Sequence, residues 1–238
     1  MTIILAAKSG DGICFLSDTY SQTISKENGK LKFTDETADK VELVRKIPPT
    51  VALGISGDFY FQNYTIETVQ KNINFRDVYT KNMGDVYSQN VGERRPMADR
   101  ITNAVAIIRA YHESNSTYFA GENVEIKFLF GIVADDNKSK KVLAFEKQDL
   151  SSEDADYGAI GSGSYPIVRN CLAARYQPNL SAEKVFEVLA KAFNLALGID
   201  AVNKNILKGY RAKVLSSNGL EEYLLPPGMI HNQYREMR

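Results

Sequence analysis

The chain has no tryptophan, only two cysteines and two histidines in 238 residues, and no excess of charge, since 29 Lys+Arg balance 29 Asp+Glu. Each scarcity closes a class of function. A formal net charge of zero gives no basic footprint for a phosphate backbone or an anionic lipid surface, so neither nucleic acid nor a membrane is expected as a partner. Cys14 and Cys171 are far apart, each inside an apolar run with no ligand-like spacing. They read as buried thiols of a reducing compartment and not as a disulfide framework or a metal site. His112, at a helix end, and His231, in the tail, form no His-x3-His pair and read as solvated surface, which argues against a zinc site or a histidine-based triad. The chain also lacks a Gly-x-Ser-x-Gly elbow and a phosphate-cradling Gly-x4-Gly-Lys-Ser/Thr loop, so no cofactor and no metal are expected. No long apolar run opens the chain: Thr2 to Ala7 is closed by Lys8 and preceded only by Met1, too short for a span and without the charged region of a signal peptide. A cytoplasmic location is the expectation. The Asn-x-Ser/Thr triplets at Asn63, Asn115 and Asn179 then read as chance.

What is present suffices for a packed core. The hydrophobic share is 44%, and no repeat, low-complexity tract or linker divides the chain, so residues 1–238 read as one domain with a polar tail over 229–238. Ile3 to Lys8 and Gly12 to Asp18 are apolar runs around an Asp-Gly, a hairpin signal. A polar stretch from Tyr20 to Asp39 leads to a second strand pair, Lys40 to Ile47 and Val51 to Ile55, broken by Pro48-Pro49. Phe59, Ile66, Val69 and Ile73 then share a helical face behind the candidate N-cap Asp58, residues 74–95 look irregular, and Met97, Ile101, Ala104, Ile108 and Tyr111 mark a second helix after Pro96. Strands are expected at Val124 to Val133, Lys140 to Phe145 and Tyr157 to Ile160. Two helices follow, one with Pro166 in its first turn, the other capped by Ser181 with a Leu180–Val185 staple and a stripe of Val185, Leu189, Ala192 and Ala196. Tyr210 to Ser216 and Leu220 to Leu225 close the chain as a hairpin. The order ββ, ββ, αα, ββ, αα, ββ, with strands apolar on both faces, asks for sheets covered on each side. The fold class expected is α+β, a four-layer αββα sandwich with two stacked antiparallel sheets between two helical layers.

With histidine and cysteine chemistry set aside, the N-terminus stands out. Removal of Met1 would expose the α-amine of Thr2 beside its own hydroxyl, placing nucleophile and base on one residue. An α-amine titrates near neutrality and can accept a proton there. The first hairpin can bring Asp18 to the sheet end that carries Thr2, and a neighbouring strand can add Lys40, whose positive charge would lower the pKa of the amine. Singly, the same residues have plainer readings. Asp18 ends a strand, Lys40 is a solvated lysine at a strand start, Gly57 relieves backbone strain, and Ser162 is a turn or helix cap. Ile55 and Phe59, which flank Gly57, line a substrate pocket or pack in the core.

Five segments in order resemble a known family. They are Thr2-Ile-Ile-Leu-Ala-Ala-Lys with Gly12-Ile-Cys-Phe-Leu-Ser-Asp18, Lys40-Val-Glu-Leu-Val, Gly54-Ile-Ser-Gly57-Asp58, Ala159-Ile-Gly-Ser162-Gly-Ser, and Ala196-Leu-Gly-Ile-Asp200. The chain resembles the β-type subunits of proteasomes and the bacterial proteasome-like peptidases, within the N-terminal nucleophile (Ntn) hydrolases, from Thr2 to about Leu225. The resemblance implies Thr2 as nucleophile with its amine as base, Asp18 and Lys40 as the charged pair that tunes it, and the backbone N–H of Gly57 as oxyanion donor. It implies Ser162 and Asp200 in the hydrogen-bond network around the amine. The reaction implied is endopeptidase cleavage through an ester on Thr2. The implied partners are peptide or unfolded-protein substrates, further copies in a ring or stacked rings, and an ATP-dependent unfoldase or gating subunits.

The chain departs from the family in three places. Asn203 stands where the family has a serine three residues beyond the aspartate, so Asn203 would have to serve in the amine network. The stretch between Lys40 and Gly57 is longer than usual, and so is that from Thr80 to Arg95. Two other functions fit the residues: a non-catalytic ring subunit of this fold, or a cytosolic Ntn amidohydrolase or acyl transferase acting on a small amide.

Overall fold

The computed structural model describes residues 2–27, 30–57, 62–82, 97–115, 126–146, 154–161, 165–199 and 209–230. Among the described residues are two five-stranded antiparallel sheets and four helices. The first sheet has the order β10-β1-β2-β11-β12, from Ile3–Lys8 (β1), Ile13–Asp18 (β2), Tyr157–Gly161 (β10), Tyr210–Ser216 (β11) and Gly219–Glu222 (β12). The second has the order β5-β6-β7-β8-β9, from Val41–Arg45 (β5), Thr50–Ser56 (β6), Lys127–Val133 (β7), Lys140–Phe145 (β8) and Asp154–Ala155 (β9). Tyr20–Glu27 (β3) and Lys30–Thr37 (β4) pair with each other in a separate two-stranded ribbon.

The strand alternation explains why the central strands are apolar on both faces. On β1, Ile3, Leu5 and Ala7 join one core cluster while Ile4 and Ala6 join another, and on β2 Cys14 and Leu16 divide from Ile13 and Phe15 in the same way. The first cluster is completed by the helices Pro166–Arg175 (α3) and Ala182–Ile199 (α4), through Val168, Leu172, Val185, Phe186, Leu189 and Phe193. The other set meets Val41, Ala52, Leu129, Val133 and Val142 of the second sheet. On that sheet Leu53, Ile55, Phe128 and Phe130 point the opposite way, onto Val69 and Ile73 of Gln62–Asn82 (α1) and Ile101, Val105 and Ile108 of Met97–Asn115 (α2). Each large side chain so buried contributes about 1.5–3 kcal/mol.

Local chemistry sets the ends of these elements. Ser9-Gly10-Asp11-Gly12 closes the β1–β2 turn, with Ser9 N–H donating to the Gly12 carbonyl at 2.8 Å. Asp11 of that turn accepts the N–H of Ala182 at 3.1 Å, so the first hairpin caps α4 together with Ser181, whose Oγ accepts from Lys184 N–H at 3.4 Å. Pro166 occupies the first turn of α3.

Several expectations need correction. The polar stretch Tyr20 to Asp39 is a pair of strands, signalled by Asn28-Gly29 between them, the strongest short hairpin cue. The helix expected to fade at Ile73 runs to Asn82, through a stretch whose sequence mixes Phe75, Val78 and Tyr79 with Arg76, Asp77, Thr80 and Lys81. Of the two roles expected for Ile55 it takes the core one, and His112 is half-buried in the last turn of α2 rather than fully solvated. Cys14 is buried and Cys171 half-buried, both as free thiols, and burial pushes the Cys14 thiol up to about 12. Asp58, Phe59, Pro96 and His231 lie outside the described residues.

Candidate functional site

Thr2, Asp18 and Lys40 meet where the two large sheets come together. The β1–β2 register pairs Ile4 with Ser17, which puts Asp18 beside the entry to β1, and its Oδ1 accepts the Ile3 N–H at 2.6 Å. The length of the first hairpin thus explains why residue 18 lies beside the start of the chain's first strand. Lys40 arrives from the other sheet. It precedes β5, its carbonyl accepts the Ile55 N–H at 3.1 Å, and Val41 pairs with Gly54. Its Nζ donates to Asp18 Oδ2 at 2.7 Å and to Thr2 Oγ1 at 3.1 Å.

This pair is almost dry, with Asp18 0% and Lys40 3% exposed. Burial pushes the Lys40 ammonium below its ordinary value, opposed by the Asp18 carboxylate. Burial also pushes the Asp18 carboxyl up, opposed by Lys40 and by the N–H groups of Ile3 and Tyr20. Those two N–H groups supply what a buried carboxylate needs, the second donating from Tyr20 to Oδ2 at 3.1 Å. The plainer reading of Lys40 as a solvated lysine therefore fails, whereas Asp18 does end β2, though fully buried.

Gly57 follows β6 with φ of +118°, a conformation that a β-carbon disfavours. Gly161, opposite Ile3 in the β1–β10 register, has φ of +68°, and a Cβ there would lie 2.0 Å from the Thr2 carbonyl oxygen. The same hypothetical Cβ would lie 2.9 Å from Ser56 Oγ, so the ends of β1, β6 and β10 converge at Thr2. Ser56 and the backbone N–H of Tyr20 were not among the candidate residues. Ser56 sits next to Gly57 in the sequence, but Tyr20 contributes only its main chain, which no residue type announces. Ser162, Asp200 and Asn203 lie outside the described residues.

An open cavity of about 370 Å³ is walled by Thr19, Thr37, Ala38, Asp39, Tyr210 and Arg211. Its walls include the sequence neighbours of Asp18 and Lys40, and Thr2 is not among them. Chemically, the cluster holds a hydroxyl under an ammonium that is itself fixed by a carboxylate. An opposite charge so close lowers an acid's pKa by about 1–3 units, so the arrangement suits a threonine oxygen that must develop negative charge.

No family model matches the chain, and no curated protein matches it by sequence. Among solved structures it is similar to the Anbu (Gly-1) mutant from Hyphomicrobium sp. strain MC1, with a TM-score of 0.59 and 12% identity over 90% of this chain and 81% of that one. The two share a fold. At that identity the likeness speaks to architecture, and the chemistry has to be argued from the Thr2 cluster.

Proposed function

We propose that the chain is a proteasome-like Ntn hydrolase, a four-layer αββα sandwich that cleaves peptide bonds with Thr2 after loss of Met1. One observation carries the reading: the Lys40 ammonium reaches both Thr2 Oγ1 and a buried carboxylate. The shared fold with Anbu supports it. In this mechanism the Thr2 amine takes the proton of Oγ, the oxygen attacks the scissile carbonyl carbon, and Lys40 stabilises the negative charge on Oγ. The Gly57 N–H receives the carbonyl oxygen as it becomes an oxyanion, a donor of a kind worth about 2.7–4 kcal/mol. The C–N bond then breaks as the amine returns its proton to the leaving nitrogen, and water hydrolyses the ester left on Thr2. Ser162, Asp200 and Asn203 complete the hydrogen-bond network around the amine.

The proposed context is a cytoplasmic ring or stacked rings of identical subunits that admit unfolded chains, with an unfoldase or gating partner. The apolar side chains Ile167, Leu195 and Ile199, exposed on α3 and α4, support contacts between subunits. Intact mass and labelling with a panel of peptide epoxyketones test the chemistry, because ring closure on that warhead uses an amine and a hydroxyl of one residue. A single adduct on a Thr2 that has lost Met1 is the expected result. A chain that lacks Met1, folds, and takes no adduct from any member would be a non-catalytic subunit instead.

A further inference from the structure

We propose that Lys213 is a positioning residue for Lys40, a strut between the sheets that holds the Lys40 ammonium against Thr2. The inference rests on the proposed function and adds to it a residue outside the Thr2, Asp18 and Lys40 cluster. On β11, Ala212 belongs to the cluster under α3 and α4 while Leu215 belongs to the cluster between the sheets. Alternation therefore turns Lys213 toward the second sheet. There it is 8% exposed, and an ammonium so placed needs partners.

It finds them on either side of Lys40. Lys213 Nζ donates to the Asp39 carboxylate and, at 2.9 Å, to the Val41 carbonyl. The other Asp39 oxygen accepts the Val41 N–H at 3.3 Å, closing a ring of contacts around Lys40. The Asp39 carbonyl is held by Gln62 Nε2 at 3.3 Å and the Lys40 carbonyl by Ile55 N–H. These bonds tie the Asp39-Lys40-Val41 corner to α1 and β6 on its own side of the molecule. Lys213 is different, because β11 belongs to the sheet that carries Thr2 and Asp18. It is a fixed link between the nucleophile's sheet and the backbone that presents Lys40, so it sets the separation on which the 3.1 Å contact depends. A misplacement of about 1 Å at a reacting group can cost roughly a hundredfold in rate.

The test compares epoxyketone labelling of Thr2 in the assembled wild-type protein and in variants, separating the saturating rate from the half-saturating concentration. Lys213→Met should lower the saturating rate roughly ten- to a hundredfold with the half-saturating concentration little changed, and Lys213→Arg should recover most of it. Asp39→Asn should show a smaller fall of the same kind, and it decides the matter if Lys213→Met does not fold. Thr50→Val is the structural control: Thr50 Oγ1 donates to the Ser216 carbonyl at 2.6 Å across the same two sheets, away from Lys40. That variant should lose thermal stability and keep the labelling rate. Wild-type labelling with Lys213→Met reacting at the same rate, or losing rate only in step with Thr50→Val, overturns the strut. A wild-type protein that never labels overturns the proposed function itself.

Discussion

Two ion pairs stand side by side at the start of β5, and they differ in how much water reaches them. In Asp18–Lys40 the side chains are 0% and 3% exposed; in Asp39–Lys213 they are 29% and 10% exposed. The second pair is tempered by Arg211, 3.8 Å from Asp39, and by Glu222, 3.8 Å from Lys213. Among the described residues the first has no such rim. Its charges are met by two backbone N–H groups on the carboxylate and by the Thr2 hydroxyl at the ammonium. A buried pair is weak as a stabiliser, because desolvation offsets much of the attraction, yet breaking one by removing a partner typically costs about 3–5 kcal/mol. Consecutive residues, Asp39 and Lys40, thus face different surroundings: one bonds to Lys213 and the Val41 N–H, and the other holds its charge against the Thr2 hydroxyl.

The sharpest way to separate the two roles is Thr2→Ala. It removes what the inner pair serves while leaving both pairs intact, so labelling and peptide hydrolysis should fall to background while the melting temperature and particle size stay at wild-type values. Residual hydrolysis at the wild-type rate would end the proposed mechanism. Lys40→Met comes next, because it strands the Asp18 carboxylate as well as uncharging the site. A stability loss of about 3–5 kcal/mol in denaturant titration should accompany a loss of labelling of roughly a hundredfold or more. A Lys40→Met protein as stable as wild type would mean that Asp18 carries no charge in the fold.

This contrast also marks how far the sequence could be read. Thr2 and Asp18 were accessible because the first hairpin brings them to one sheet end, whereas Lys40 taken alone reads as a solvated strand-start lysine and joined them only through a neighbouring strand and the family resemblance. Lys213 was not, since its meaning depends on which face of β11 looks across to the other sheet, and that follows from packing alone. The two large sheets were legible from their apolar runs, whose two-sided character anticipates cover on both faces. The β3–β4 ribbon was missed for the converse reason. Tyr20–Glu27 and Lys30–Thr37 are mostly polar and pair only with each other, so no core imprinted a hydrophobic pattern on them.

Protonation sharpens the comparison further. If Lys40 acts as an ammonium and the Thr2 amine as a neutral base, labelling should follow a bell in pH, with the alkaline limb set by Lys40 and lying below the ordinary lysine range. Asp18 favours the charged lysine, so Asp18→Asn withdraws that support, and the alkaline limb should move to lower pH. A limb that stays in place would assign it to another group.

The smallest effect belongs to the rim of the outer pair. Glu222 is 53% exposed, accepts from Arg211 at 3.1 Å and lies 3.8 Å from Lys213. Exposed pairs of this kind are worth about 0.2–1 kcal/mol and weaken with salt. Glu222→Gln should therefore cost less than about 1 kcal/mol at low salt, the difference should shrink in molar salt, and labelling of Thr2 should not change. Because Lys213 keeps Asp39 and the Val41 carbonyl in that variant, an altered labelling rate would show that the strut works through net charge at the sheet edge. An unaltered rate would assign its effect to the two short contacts that flank Lys40.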